Sequence, residues 1–303
     1  MPRNEVTSVL GKNIRRQLSD EKMDFRTLQE IRLRIGKPMI VISNGRERVF
    51  PGSVSREDFQ ETLEYVSNYS LYAFENELKQ GFLTIAGGHR VGVAGQVLLE
   101  QGRVKNMKQI SSLNIRVSHE IPDCAKLILP YVTKEGQIYN TLLISPPRCG
   151  KTTLLRDLIR QVSDGGPYLC GSTVGVVDER SELAACYMGV PQNQLGLRTD
   201  VLDCCPKAEG MLMLIRSMGP QVIAVDEIGS REDIQALEYA MHCGCKMLAT
   251  VHGSSMEEIC RKPLFDRLVS EEIFERYVVL ENRKQVGEIK GIYDAKGELL
   301  CRG

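Results

Sequence analysis

The sequence predicts an α/β fold in two parts: a smaller N-terminal α+β domain over residues 1–135 and a core with a parallel sheet over residues 136–303. Three observations carry this. From Tyr139 onward, short apolar runs alternate with helical patterns, as parallel sheets require. The first of those runs passes through a Gly-Lys-Thr loop directly into a helix. Before residue 135, apolar residues alternate singly and are punctuated by Gly and Pro, the habit of half-buried strands.

In the front part a helix is expected over residues 4–19. Ile31, Leu33 and Ile35 alternate along a strand that Gly36 and Pro38 close. A second strand over residues 39–43 meets Asn44-Gly45, a hairpin signal, before residues 47–50 return. Ser55 followed by Glu57 and Asp58 reads as a helix N-terminus, with Phe59, Leu63 and Val66 at helical spacing. A helix over 71–80 follows. Two strands then surround Gly87-Gly88, and one more covers 110–118. A short connecting helix is expected around 123–132.

In the core, residues 141–144 form a buried strand and 151–162 a helix. Strands over 174–177, 222–225 and 247–251 alternate with helices over 207–218 and 231–242. Beyond Pro263 a helix leads to a strand at 277–280, then to edge strands reaching residue 303.

Composition narrows the class. The chain has 303 residues, 42% hydrophobic and 26% charged, enough apolar material for a sizeable core and unlike a disordered chain. Lys+Arg and Asp+Glu both number 39, so the whole molecule presents no basic field for nucleic acid. Trp is absent, and no basic stripe with stacking aromatics appears. The ten cysteines include no Cys-x-x-Cys pair, so they read as thiols of a reducing cytosol, His242-Cys243-Gly244-Cys245 included. The N-terminus lacks the apolar stretch of a secretory signal, and no run of 18 apolar residues predicts a membrane span. Surface attachment to a membrane assembly stays compatible.

Ser145, Pro146, Pro147, Arg148, Cys149, Gly150, Lys151, Thr152 and Thr153 join the first core strand to the first core helix. Backbone N–H groups at a helix start cradle phosphate, a Lys reaches the β and γ phosphates, and a hydroxyl ligates Mg²⁺. Lys151 and Thr152 fill the last two roles, which makes this a Walker A loop for ATP and Mg²⁺. Ser145 departs from the pattern, which has Gly there.

Residues 222–225 run apolar into Asp226 and Glu227, 75 residues beyond Lys151. Asp226 is placed to hold Mg²⁺ with Thr152, and Glu227 to polarise the attacking water. Asp178, Glu179 and Glu182 follow the second core strand, and ligands of parallel sheets gather at strand carboxyl ends. Glu179 and Glu182 are therefore rivals for the water-activating role. Thr250 and His252, at the end of the fourth core strand, are candidate γ-phosphate sensors. Arg198 and Arg216 are candidate phosphate or subunit-contact arginines, and spacing does not choose between them.

Several stretches occur together and in order: Pro-Pro-Arg-Cys-Gly-Lys-Thr-Thr, Val-Val-Asp-Glu-Arg-Ser-Glu-Leu, Arg-Thr-Asp-Val-Leu-Asp, Cys-Pro-Lys-Ala-Glu-Gly, Val-Asp-Glu-Ile-Gly and Thr-Val-His-Gly. With Gly-Gly-His-Arg-Val-Gly-Val-Ala-Gly and Leu-Asn-Ile-Arg-Val in the front part, the chain resembles the stage III sporulation protein AA family, relatives of the type II and type IV secretion ATPases. The resemblance implies a RecA-like P-loop ATPase core, with Asp178, Glu179 and Glu182 in an acidic box and His252 in a histidine box. It implies a hexameric motor in which Arg90 and Arg116 reach a neighbouring subunit's nucleotide. It also implies a cytoplasmic position, on the mother-cell side, at the base of a membrane-embedded channel joining mother cell and forespore.

Two readings of function follow: an assembling ATPase docked on a membrane complex, or a nucleic-acid-dependent ATPase on the same core. The balanced charge favours the first. A nucleotide-binding regulator with little turnover is a third.

Overall fold

The computed structural model describes residues 2–21, 23–70, 74–281 and 287–303. The expected helix start at residues 71–73 lies outside them, as do residues 282–286 of the expected edge strands. The chain forms two compact units, Met1–His119 with Ala185–Gln192, and Glu120–Ala184 with Asn193–Gly303. Residues 120–135, expected with the front part, group with the second unit. Hydrogen bonding supplies a reason, because Asp157 of the second unit accepts the N–H groups of Asp123 (3.0 Å) and Ala125 (2.8 Å).

The first unit runs α1 (Pro2–Ser8), α2 (Lys12–Asp20), β1 (Leu28–Arg34), β2 (Ile40–Ser43), β3 (Arg46–Val49), α3 (Arg56–Val66), α4 (Glu75–Gln80), β4 (Phe82–Ile85), β5 (His89–Glu100) and β6 (Arg103–Arg116). The strands make one antiparallel sheet in the order β3-β2-β1-β6-β5-β4. Leu28, Ile31, Leu33, Val91, Leu113 and Ile115 face a core that α2 and α3 close with Ile14, Leu18, Phe59 and Leu63. Ser55 caps α3 by accepting the Asp58 N–H, and Asn44-Gly45 turns the β2–β3 hairpin with both residues at positive φ, 51° and 69°.

Two elements differ from expectation. The helix foreseen over 4–19 is broken at Gly11, whose N–H donates to Thr62 Oγ1 at 2.9 Å. A Cβ there would stand 2.9 Å from the Asp58 carbonyl oxygen, so close contact with α3 excludes a side chain. The strand foreseen over 110–118 is the last part of the longer β6, which pairs with β5 around a turn at Gln101 and Gly102, both at positive φ.

The second unit runs α5 (Leu129–Val132), β7 (Thr133–Lys134), β8 (Gln137–Ile138), β9 (Thr141–Ser145), α6 (Lys151–Asp164), β10 (Val174–Asp178), β11 (Thr199–Asp203), α7 (Lys207–Ser217), β12 (Val222–Val225), α8 (Arg231–His242), β13 (Lys246–His252), α9 (Met256–Cys260), α10 (Asp266–Ser270), β14 (Arg276–Glu281), β15 (Glu288–Asp294) and β16 (Leu299–Arg302). Eight strands make a mixed sheet, β11-β10-β12-β13-β9-β14-β15-β16. Its first six are parallel and the last two antiparallel. The neighbours β9, β13, β12 and β10 are buried almost throughout, which is why they read as unbroken apolar runs.

The connecting helix foreseen at 123–132 shrinks to α5, since Asp123 takes a left-handed φ of 68° that a right-handed helix does not accommodate. Strand β11 was not foreseen, because Thr199-Asp-Val-Leu-Asp203 is a half-exposed edge whose two acids mask the apolar pair between them. Among the described residues, no helix is long and apolar enough to cross a membrane.

Candidate functional site

The site lies at the carboxyl ends of β9, β12 and β13, where an open parallel sheet gathers ligands. Strand β9 ends at Ser145, and the loop re-enters helix at Lys151. Arg148 and Gly150 take positive φ, 63° and 83°. Gly150 occupies that conformation without a Cβ penalty and orients the first turn of α6. Ser145 instead stands in the strand, paired in register with His252, so its backbone makes no demand for glycine. That accounts for the departure from the usual loop pattern.

Lys151 is almost fully buried, with its ammonium 3.1 Å from Glu227 Oε1 and 3.7 Å from Asp226 Oδ1. Thr152 donates its hydroxyl to Asp226 Oδ2 at 2.8 Å. Thr250, on the neighbouring β13, donates to the other Asp226 oxygen and accepts the Glu227 N–H at 2.8 Å. The pair Thr152 and Asp226 is an oxygen-only donor set, one hydroxyl and one carboxylate, as hard divalent cations use.

Glu227 is the hub. Its Oε1 also meets His252 Nε2 at 2.9 Å, and its Oε2 accepts Arg180 Nη1 at 2.9 Å. Burial pushes its carboxyl up, but the hydrogen bond and charge of Lys151, with the charges of His252 and Arg180, overcome that and hold it below its ordinary value. Its φ of 55° is the left-handed conformation, uncommon for a residue with a side chain.

The acidic group after β10 divides its work. Asp178 is buried and accepts three backbone N–H groups, from Glu182 (2.9 Å), Leu183 (2.9 Å) and Ala184 (2.8 Å), which fixes the loop. Burial pushes its carboxyl up to about 6 against those donors. Glu179 pairs with Lys207 at the start of α7. Glu182 gives its carbonyl to Arg156 at 2.7 Å, and Leu183 gives its own at 2.9 Å. Thus the structure brings Lys151, Thr152, Asp226, Glu227, Thr250 and His252 together, and places Glu179 against Lys207 instead.

Arg198 lies elsewhere. Its guanidinium donates to the Ser163 carbonyl at 2.8 Å, at the C-terminal end of α6, roughly 20 Å of helix away from Lys151. Arg216 is exposed in the last turn of α7. In the first unit, Arg90 stacks over the Phe82 ring and is the cross-strand partner of Arg116, which approaches Glu30 at 3.8 Å. Sequence reasoning passed over Arg156 and Arg180. Arg156 sits one helical turn after Thr152, and Arg180 inside the acidic group, so position alone carried a signal for both.

Solved structures share this architecture. The pilus retraction motor PilT with bound ADP aligns with a TM-score of 0.62 at 15% identity, covering 95% of this chain and 83% of that one. The ATPase DotB of Legionella pneumophila aligns at 0.58 and 16%, covering 89% and 76%. Fold and site together define a P-loop protein built like the secretion ATPases. Stage III sporulation protein AA of Bacillus subtilis (strain 168) is 44% identical over 300 residues, 99% of this chain and 97% of its own length. Residues 1–300 also match the family described as sporulation stage III, protein AA, and the chain belongs to that family.

Proposed function

We propose that this chain is a Mg²⁺-dependent ATPase acting as a secretion-type motor at a sporulation channel. The observation that supports it most is the convergence of Lys151 and Thr152 on Asp226 and Glu227 at one edge of the parallel sheet. In this reading the loop N–H groups and Lys151 bind the β and γ phosphates of ATP. Thr152 and Asp226 hold Mg²⁺, which neutralises phosphate charge when bound. Glu227 orients a water whose oxygen bonds to the γ-phosphorus as the bond to the β–γ bridging oxygen breaks. The electron pair leaves on ADP, and the water's proton passes to Glu227. His252 stays on the carboxylate as its positioning partner.

The motor reading extends to a homo-oligomeric ring, of six subunits by analogy with secretion ATPases, docked on a membrane-embedded complex from the cytoplasm on the mother-cell side. In such a ring Arg90 and Arg116 would face a neighbour's nucleotide. Head-to-tail contacts close into rings when their rotation permits. Light scattering across dilution, with and without ATP, tests the ring, since ATP should promote the larger species. Phosphate release with and without DNA or RNA tests the nucleic-acid alternative, which the balanced charge does not favour.

A further inference from the structure

We propose that Arg180 is the cation this site applies to the terminal phosphate of ATP from within the same chain, and that in moving there it releases Glu227 for the attacking water. This rests on the ATPase reading above and adds the residue that answers charge developing on the γ-phosphate. A phosphate loop without such a cation hydrolyses slowly.

Placement is the first argument. Lys151 and Arg180 sit on the two oxygens of one carboxylate, Lys151 on Oε1 and Arg180 on Oε2. A phosphate that draws Lys151 away from Glu227 therefore arrives beside the Arg180 guanidinium. Other cations nearby are committed: Arg156 to the carbonyls of Glu182 and Leu183, Lys207 to Glu179, and Arg198 to the far end of α6.

The second argument is mechanical. Asp178 gathers the N–H groups of residues 182–184, and Arg156 holds two of their carbonyls, so the backbone beside Arg180 is anchored to β10 and to the phosphate-loop helix at once. The Arg180 side chain, in contrast, is 64% exposed, against 6% for Lys151. A fixed base carries a movable guanidinium. An ion pair this exposed is weak, and a multiply charged phosphate competes for it with two or more oxygens in fork geometry.

The third argument is chemical. While Glu227 is bonded to Lys151, His252 and Arg180 together, its carboxylate is a poor proton acceptor. Transfer of two of these cations to phosphate restores its basicity at the moment water must be deprotonated. As the water oxygen bonds to phosphorus and the electron pair departs on ADP, Arg180 stabilises the γ-oxygens and Glu227 receives the proton. One movement serves both ends of the reaction.

The test uses the full-length chain with Mg²⁺ and ATP, comparing wild type, Arg180→Ala and Arg180→Lys, each checked for an unchanged thermal melt. For Arg180→Ala, kcat should fall about 10³-fold, the scale of an arginine finger. Its KM should stay within roughly threefold, because the loss is confined to the transition state. Tighter binding of ADP with aluminium fluoride than of ADP alone should appear in wild type and vanish in Arg180→Ala. Arg180→Lys should recover part of kcat. An Arg180→Ala enzyme whose turnover equals or exceeds wild type, with the fluoride preference intact, would overturn the role of Arg180 while leaving the ATPase reading standing. A wild-type chain that neither binds nor hydrolyses ATP would remove the reading itself, and the proposal with it.

Discussion

Lys151 Nζ stands 3.1 Å from Glu227 Oε1, so the ammonium suited to phosphate and the carboxylate suited to water hold one another. Any phosphate bound here must take Lys151 from Glu227. Binding and the release of the carboxylate are thereby one event.

Lys151→Ala should lower ATP affinity about 10- to 100-fold, the worth of a charge-assisted hydrogen bond to phosphate. The fold should survive, since Asp226 keeps Thr152 and Thr250 while Glu227 keeps His252 and Arg180. Fluorescent-nucleotide titration checks the first point and circular dichroism the second. Unchanged affinity would displace the phosphate site from this loop.

Ser145→Gly should leave nucleotide affinity within about twofold, because position 145 lies in β9 in extended backbone and makes no use of glycine's freedom. A large loss in the same titration would give the Ser145 hydroxyl, which donates to the Pro146 carbonyl, a role of its own.

Arg198→Ala should act on stability and not on turnover. Its guanidinium caps carbonyls at the end of α6, so unfolding by urea should show a loss of about 1 kcal/mol with the rate per folded molecule unchanged. A selective loss of turnover would point to a phosphate contact across subunits.

Asp178 gives a pH signature. Burial raises its carboxyl from 3.8 to about 6, so the folded chain holds this proton more tightly than the unfolded chain. Its contribution to stability is full below pH 3.8, declines as pH rises, and is gone above about 6. Asp178→Asn removes that titration. Over this window the variant's stability should rise relative to wild type by up to about 1.4 kcal/mol per pH unit. Parallel pH profiles for the two proteins would contradict the buried, proton-holding assignment.

Much of the site was legible because its signals are local. Gly150-Lys151-Thr152 and Asp226-Glu227 each follow an apolar strand, and strand ends are visible as changes of pattern. Which carboxylate meets Lys151 was not legible: Glu179, Glu182 and Glu227 all follow strands, and the choice depends on β12 lying between β10 and β13 in the sheet. The mobile partner Arg180 was hidden for the same reason, since its contact with Glu227 spans 47 residues. In the fold, the Gly11 break and the edge strand β11 escaped notice because tertiary contact with α3 and pairing with β10 decide them, not local pattern.

The account turns on Glu227 working at a nucleotide held by Lys151, and phosphate release by the Glu227→Gln chain tests it most directly. The amide keeps the shape but takes no proton and no longer competes for Lys151. ATP binding should be retained or tightened while phosphate release in Mg²⁺ falls about 10²- to 10⁴-fold. Glu179→Gln, whose parent carboxylate is paired with Lys207, should release phosphate at close to the wild-type rate. Normal release by Glu227→Gln, with loss in Glu179→Gln or Glu182→Gln instead, would move the water-activating role to the loop after β10 and contradict the account.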